Sequence, residues 1–268
     1  MKYLLVFDLD DTLLNGEEKI TERTTEYIKN LDDRFIVVLA SGRPFSGMEK
    51  YYNQLELKTP LITNNGSLIF SPHDKSFKTH EQSIDINTFK ELFKKIKPYI
   101  KHGLFNNNYD SYVYNRTKKI ERFLHARNED DIHEGNLDEI CDISPRGALF
   151  VVNIDYEDEY VKIVNSYSNL STRCWGKDQK NSIHELYISN INKALGIRYV
   201  MDYYNIKNDH LICFGDGIND FEMLDMAYIG VAMKNGSDEL KRKAKYITDY
   251  TNNEDGVIKF LEKIIKKL

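Results

Sequence analysis

Two uninterrupted apolar runs, YLLVF at 3–7 and FIVVLA at 35–40, flank the segment ITERTTEYIKNL, in which Ile20, Thr24, Tyr27, Ile28 and Leu31 recur at helical spacing. A strand with one wet face alternates polar and apolar residues, whereas a strand that is apolar throughout must be covered on both sides. A helical crossover between two such strands makes them parallel. The pattern therefore predicts a β-α-β unit in a parallel sheet lying between helices, an α/β fold. Ligands of such sheets bind beyond the carboxyl ends of the strands, so functional residues are expected just after each apolar run.

Further strands are read at PLIT (60–63), LICFGDG (211–217), IGVAM (229–233) and YIT (246–248). The segment DGVIKFLEKIIKKL sets Val257, Phe260, Leu261, Ile264, Ile265 and Leu268 on one face of a closing amphipathic helix. Residues 83–187 have another texture. Helices at INTFKELFKKIK and DEYVKIVNSYSNL mix with strands at DSYVYN, ALFVVNI, TRCW and HELYI, the last alternating rather than uniformly apolar. This block reads as a second domain of mixed α and β structure, inserted between 1–82 and 188–268.

At 268 residues, 41% hydrophobic and 29% charged, the chain has the composition of a globular protein and not of a disordered or fibrous one. Its 37 Lys and Arg against 42 Asp and Glu leave a net charge of −5, which argues against broad nucleic-acid binding and requires a local site for any anionic ligand. Cys141, Cys174 and Cys213 lack CxxC or Cys/His ligand spacing and are expected to be reduced and structural. No stretch approaches the roughly 20 apolar residues that cross a bilayer. A cytoplasmic protein without a membrane anchor is expected, and oligomeric state is left open.

The strand ends carry unusual chemistry. In DLDDT an extended chain would put the side chains of Asp8 and Asp10 on one face and Asp11 on the other. Paired carboxylates need a cation, a shared proton or strong donors. An EF-hand calcium loop is excluded, because its sixth position would be Leu13 and its twelfth Lys19. FGDGIND supplies Asp216 and Asp220 at another strand end, and Asp220 stands where a dinucleotide fingerprint needs its last glycine. Such an oxygen-rich group suits a hard cation. ASGR offers Ser41, Gly42 and Arg43, and TNNG offers Asn64, donors suited to phosphate oxygens that are also ordinary turn residues. Lys193 opens a helix whose apolar positions are Leu195, Tyr199 and Val200.

Together DLDDT, SGR, NNG, Lys193 and GDGIND, in this order around a mid-chain insertion, resemble the haloacid dehalogenase superfamily, specifically the Cof-type phosphatases. The resemblance implies a Rossmann-like core with a large inserted αβ cap of the C2 type, a Mg2+ cofactor and a small phosphorylated metabolite as partner. Under it Asp8 is the nucleophile that becomes an aspartyl phosphate, and Asp10 is the general acid and base. The metal falls to Asp8, the carbonyl of Asp10 and Asp216, with Asp220 supporting them. Ser41 and Lys193 correspond to the phosphate-holding groups, Gly42 lies between phosphate-binding residues, and Asn219 adds a donor. Arg43 and Asn64 face the substrate, and Thr12 braces the nucleophile loop. The family most often has Gly where Asp11 stands.

The expected reaction is hydrolysis of small phosphate monoesters such as a sugar phosphate or a phosphorylated cofactor. A hexose-phosphate mutase would use the same Asp8 and exclude water. A signalling receiver domain would need only about 120 residues and no insertion, and a non-catalytic binding protein would not need every carboxylate. Arg173, Trp175, Lys177 and His184 are candidates to line the cap's entrance.

Overall fold

The computed structural model describes residues 2–268, apart from the side chain of Lys267. Strand Tyr3–Phe7 lies between Phe35–Leu39 and Leu211–Gly215, parallel to both. Ile229–Ala232 and Tyr246–Ile247 continue the sheet beyond Leu211–Gly215, so that among the described residues it is five-stranded and wholly parallel. From Tyr3–Phe7 the chain first builds toward one edge and later toward the other, which makes this strand the switch point at which a crevice opens. Phe7 pairs with both Leu39 and Phe214, so Asp8 leaves the sheet beside Ala40 and Gly215.

Alternation along the strands fills both faces. Leu4, Val6, Val38 and Cys213 pack with Ile197, Val200, Met223 and Leu224 in one apolar cluster. On the other face the Phe7 ring lies 5.4 Å from that of Phe214, which meets Phe260 of the helix Gly256–Ile264 at 5.7 Å. Burial of each such side chain stabilises the fold by about 1.5–3 kcal/mol. Asn192 starts the helix Lys193–Tyr204 by accepting the Leu195 N–H at 3.0 Å.

That helix buries Ala194, Gly196, Ile197, Val200 and Met201, while Leu195 and Tyr199 are only half-buried. Lys193 therefore belongs to the inward face and not to a solvated one. The closing helix Gly256–Ile264 buries Val257, Ile258 and Leu261, keeps Phe260 and Ile264 partly buried, and passes into a tighter turn at Ile265. The PLIT run forms a small separate sheet with Leu68–Phe70 and His80–Glu81, tied to the parallel sheet by a bridge from Ala40 to Ile62.

The chain divides into two compact units, one of residues 1–43, 48–80 and 192–268, the other of 44–47 and 81–191. The second holds a six-stranded sheet in the order Leu170–Lys177, Asn181–Ile188, Ala148–Asn153, Ile100–Asn107, Asp110–Tyr114, Ile132–Glu134. Its pairs are antiparallel except the last. Phe89, Phe93, Phe105, Phe150 and Tyr160 build its core beneath the helices Ile86–Ile96 and Glu157–Asn165. The strand Ile100–Asn107, reading IKHGLFNN, has too little apolar regularity to be anticipated. Among the described residues no helix is long and apolar enough to cross a membrane.

Candidate active site

Asp8 follows the central strand directly, with its backbone N–H on the Phe214 carbonyl at 3.0 Å, and is only 4% exposed. The Lys193 ammonium, fully buried, reaches Asp8 Oδ1 at 2.5 Å and Asp220 Oδ1 at 2.6 Å. Asp220 Oδ2 accepts the N–H groups of Asp216 and Gly217 at 2.9 and 3.0 Å, which folds GDGIND around a buried carboxylate. Only glycine at 215 permits this, since a Cβ there would lie 2.4 Å from the Asp220 carboxyl carbon. Asp8, Asp216 and Asp220 can each offer an oxygen within 4.8 Å of the others.

Three carboxylates thus face one ammonium in a buried space. Burial pushes Asp8 up to about 8, with Asp220 and Asp10 adding repulsion against the pull of Lys193. Burial likewise pushes Asp216 up to about 9, with Asp8 and Asp220 repelling it. Burial opposes the charge on Lys193, yet Asp220 and Asp8 outweigh it and raise its pKa. Ionised together, the carboxylates require more positive charge than Lys193 supplies, and an all-oxygen donor set suits a hard divalent cation.

DLDDT is not the extended segment its spacing suggested. Residues 9–13 coil into one wide turn closed by the Leu14 N–H on the Leu9 carbonyl at 2.8 Å. Asp10 itself keeps extended backbone within that turn, at φ of −64° and ψ of 133°. Its carboxylate is half-exposed and clamped by the Arg43 guanidinium, with Nη2 at 2.6 Å and Nε at 2.9 Å, so it lies outside the group formed by Asp8, Asp216 and Asp220. Burial opposes the Arg43 charge, but the bond to Asp10 raises its pKa.

Asp11 takes φ of 51°, left-handed backbone that glycine adopts freely and that Asp tolerates better than most residues. Its carbonyl accepts from Asn235 Nδ2 at 2.7 Å, and its Oδ1 from Asn252 Nδ2 at 3.4 Å. Asn252 Nδ2 also donates to the Leu14 carbonyl at 2.8 Å. Asp11 thus shapes the turn and ties it to the late segment TNNEDG. Thr12 Oγ1 reaches Asp216 Oδ1 at 3.5 Å.

Ser41 is buried two residues past the strand Phe35–Leu39, its Oγ accepting the Arg43 N–H at 3.1 Å. The Asn64 side chain is turned back to Thr63 Oγ1 at 3.2 Å. Its neighbour Asn65, which the sequence reading passed over, is the one that joins the cluster: it donates its N–H to the Ser41 carbonyl and accepts from Asn219 Nδ2, both at 3.0 Å. A Cβ on Gly42 would press on the Asn65 amide at 3.0 Å. Gly66, at φ of 97°, lets this turn approach the Asn192 carbonyl and so sets the start of the Lys193 helix.

In the second unit Arg173 pairs with Glu185 at 3.0 Å and lies over the Tyr187 ring at 4.3 Å. Trp175 Nε1 donates to Glu185 at 3.1 Å. Lys177 and His184 both engage Glu157, at 2.5 and 2.7 Å, and His184 is buried.

A family model described as haloacid dehalogenase-like hydrolase matches residues 5–261. The chain is 33% identical to 5-amino-6-(5-phospho-D-ribitylamino)uracil phosphatase YitU of Bacillus subtilis (strain 168), over 97% of this chain and 96% of that protein. To the phosphatase of the same description, YcsE, from the same organism it is 28% identical, over 96% and 93%. The crystal structure of a haloacid dehalogenase-like hydrolase from Bacteroides thetaiotaomicron superposes with a TM-score of 0.81 at 26% identity, over 98% of this chain and 100% of that one. A parallel sheet with acidic loops at its switch point, matched over nearly its whole length by this family, places the chain among the haloacid dehalogenase-like hydrolases of Cof type, and it is a phosphatase.

Proposed function

We propose that the protein hydrolyses small phosphate monoesters through a covalent aspartyl phosphate on Asp8, with Mg2+ as its cofactor. The observation that carries this reading is the buried Asp8 carboxylate at the end of the central strand, bonded to Lys193 and grouped with Asp216 and Asp220. Asp8, Asp216 and the backbone carbonyl of Asp10 would hold the ion. Mg2+ there supplies the positive charge that lets an anionic carboxylate meet an anionic phosphate. Both Asp220 oxygens are engaged by Lys193 and by backbone N–H groups, so Asp220 serves as the support of this group.

In the first step an Asp8 oxygen bonds to phosphorus, the ester P–O bond breaks, and the leaving oxygen takes a proton from Asp10. In the second the Asp10 carboxylate takes a proton from water, whose oxygen attacks phosphorus. The P–O bond to Asp8 breaks and inorganic phosphate leaves. The dianionic phosphate of a substrate is a strong partner for the Arg43 fork, and its arrival frees Asp10 from the clamp for proton transfer. Lys193, the Ser41 hydroxyl and Asn219 hold charge on the transferring group.

Residues 83–187 would act as the cap that selects the substrate, because the strand-end motifs read only phosphate and cation. Similarity to two ribitylaminouracil phosphatases makes 5-amino-6-(5-phospho-D-ribitylamino)uracil the first compound to test, beside sugar phosphates. The free thiols favour a reducing, cytoplasmic setting. The experiment is phosphate release across a panel of phosphorylated metabolites, with and without Mg2+, against an Asp8→Asn control. One strong substrate that needs both Mg2+ and Asp8 supports the reading. Isomerisation of a hexose phosphate without phosphate release would move the chain to the mutases.

A further inference from the structure

Within the second unit, the strands Leu170–Lys177 and Asn181–Ile188 pair Cys174 directly with His184. Glu157, the first residue of the helix Glu157–Asn165, completes a group in which one oxygen, one sulfur and one ring nitrogen lie within 4.8 Å of one another. The ladder shifts register between Cys174 and Gly176, a bulge that re-aims the strand at this point.

The hydrogen bonds of His184 fix what its ring presents. Thr172 Oγ1 donates to the Glu185 carbonyl at 3.0 Å and lies 3.1 Å from His184 Nδ1, so a hydroxyl orients that side of the ring. His184 Nε2 faces Glu157 Oε1 only 2.7 Å away. A ring nitrogen and a carboxylate oxygen at that distance in a buried place share a proton or a cation. The other oxygen of Glu157 is held by the half-exposed Lys177 ammonium at 2.5 Å. The Cys174 thiol has only a long contact of 3.5 Å to the Gly176 carbonyl. A histidine whose second nitrogen is already oriented by a hydroxyl, beside a thiol and a carboxylate, has the ligand set and outer support of a zinc centre.

We propose that Glu157, Cys174 and His184 form a zinc-class metal site with three protein ligands and one open position, which ties the two paired strands to the helix Glu157–Asn165. Binding removes the thiol proton to solvent, and the Cys174 thiolate, the Glu157 carboxylate and neutral His184 Nε2 become the donors. The expectation that all three cysteines are merely structural is revised for Cys174 alone.

The test uses the metal-stripped full chain with Mg2+ in excess, so that the Asp8 group is occupied, titrated with Co2+ and then Zn2+. One equivalent of Co2+ per chain is expected to give a near-ultraviolet thiolate charge-transfer band with intense visible bands, and Zn2+ to abolish both. Cys174→Ser is expected to lack the charge-transfer band, to bind Zn2+ at least about tenfold more weakly and to keep its phosphatase activity. Glu157→Gln should weaken Zn2+ binding, and Asp216→Asn should leave the band in place. Absence of a thiolate band in the parent, or undiminished Zn2+ affinity in a folded Cys174→Ser, overturns the site. Loss of the band in Asp216→Asn assigns the ion to the aspartate group and equally overturns it.

Discussion

The first unit concentrates its polar chemistry in the loops that follow a parallel sheet, whereas the second distributes its polar side chains along the strands of a largely antiparallel one. In the first, Asp8, Ser41 and Asp216 each follow a strand that is apolar throughout, and the register brings those ends to one edge. In the second, Arg173 and Trp175 bond to Glu185 across two paired strands, and Lys177 and His184 of the same strands reach Glu157. A parallel sheet leaves its strand ends free to vary while its core stays apolar. A mixed sheet with an open face can carry recognition on the strands themselves. The comparison predicts that chemistry is lost through changes in the first unit, while changes in the second alter its own stability and the choice of substrate.

The largest effect is expected for Asp8→Asn, which should lower turnover by about 10⁴-fold or more while the protein stays folded. Turnover measured with the best substrate near the parental rate would remove Asp8 from the chemistry. Next comes Lys193→Met, which leaves Asp8 and Asp220 without their shared ammonium. It should cost about 3–5 kcal/mol in urea denaturation as well as most of the activity. As the counterpart in the second unit, Phe150→Ala should cost about 3–5 kcal/mol through its cavity. Turnover per folded molecule on a small generic phosphomonoester is expected to be kept, and its loss would break the division of labour.

A smaller effect concerns pH. Asp8 and Asp216 are raised from 3.8 to about 8 and about 9, so between those values the native state holds protons that the unfolded chain has released. The stability these groups contribute to metal-free protein is complete below pH about 4 and is lost as pH rises through 8 to 9. Melting temperatures of the EDTA-treated protein should therefore fall with rising pH more steeply than those of Asp216→Asn, and Mg2+ should flatten the parental curve. Equal slopes with and without Mg2+ would contradict a cation at this group. The smallest effect is expected for Asp11→Gly, which loses the contact to Asn252 but relaxes the left-handed backbone, within about 1 kcal/mol by thermal unfolding.

The same contrast explains what the sequence made legible. Continuous apolar runs ending in DLDDT, ASGR and GDGIND announce buried parallel strands and the residues beyond them, and the structure has strands at each. Hidden from the pattern was the coiling of residues 9–13, because a wide turn containing one left-handed residue, Asp11, is recorded by no alternation, and neither is the pairing of Asp10 with Arg43. The burial of Lys193 was also hidden. Its inward face follows from the carboxylates that receive it, Asp8 and Asp220, which are remote in sequence. Asn65 was passed over because Asn64 and Asn65 are indistinguishable until the turn decides which side chain reaches Asn219. In the second unit, the pairing of Cys174 with His184 depends on a bulge and on long-range register, neither of which leaves a spacing motif.

The two-step route through Asp8 is tested most directly by the stereochemistry at phosphorus. A phosphorothioate ester of a good substrate, made chiral at phosphorus with 16O and 18O and hydrolysed by the Mg2+-loaded protein in 17O-labelled water, should yield inorganic thiophosphate of retained configuration, since transfer to Asp8 and then to water inverts it twice. Net inversion would mean that water attacks the substrate directly and would contradict the account.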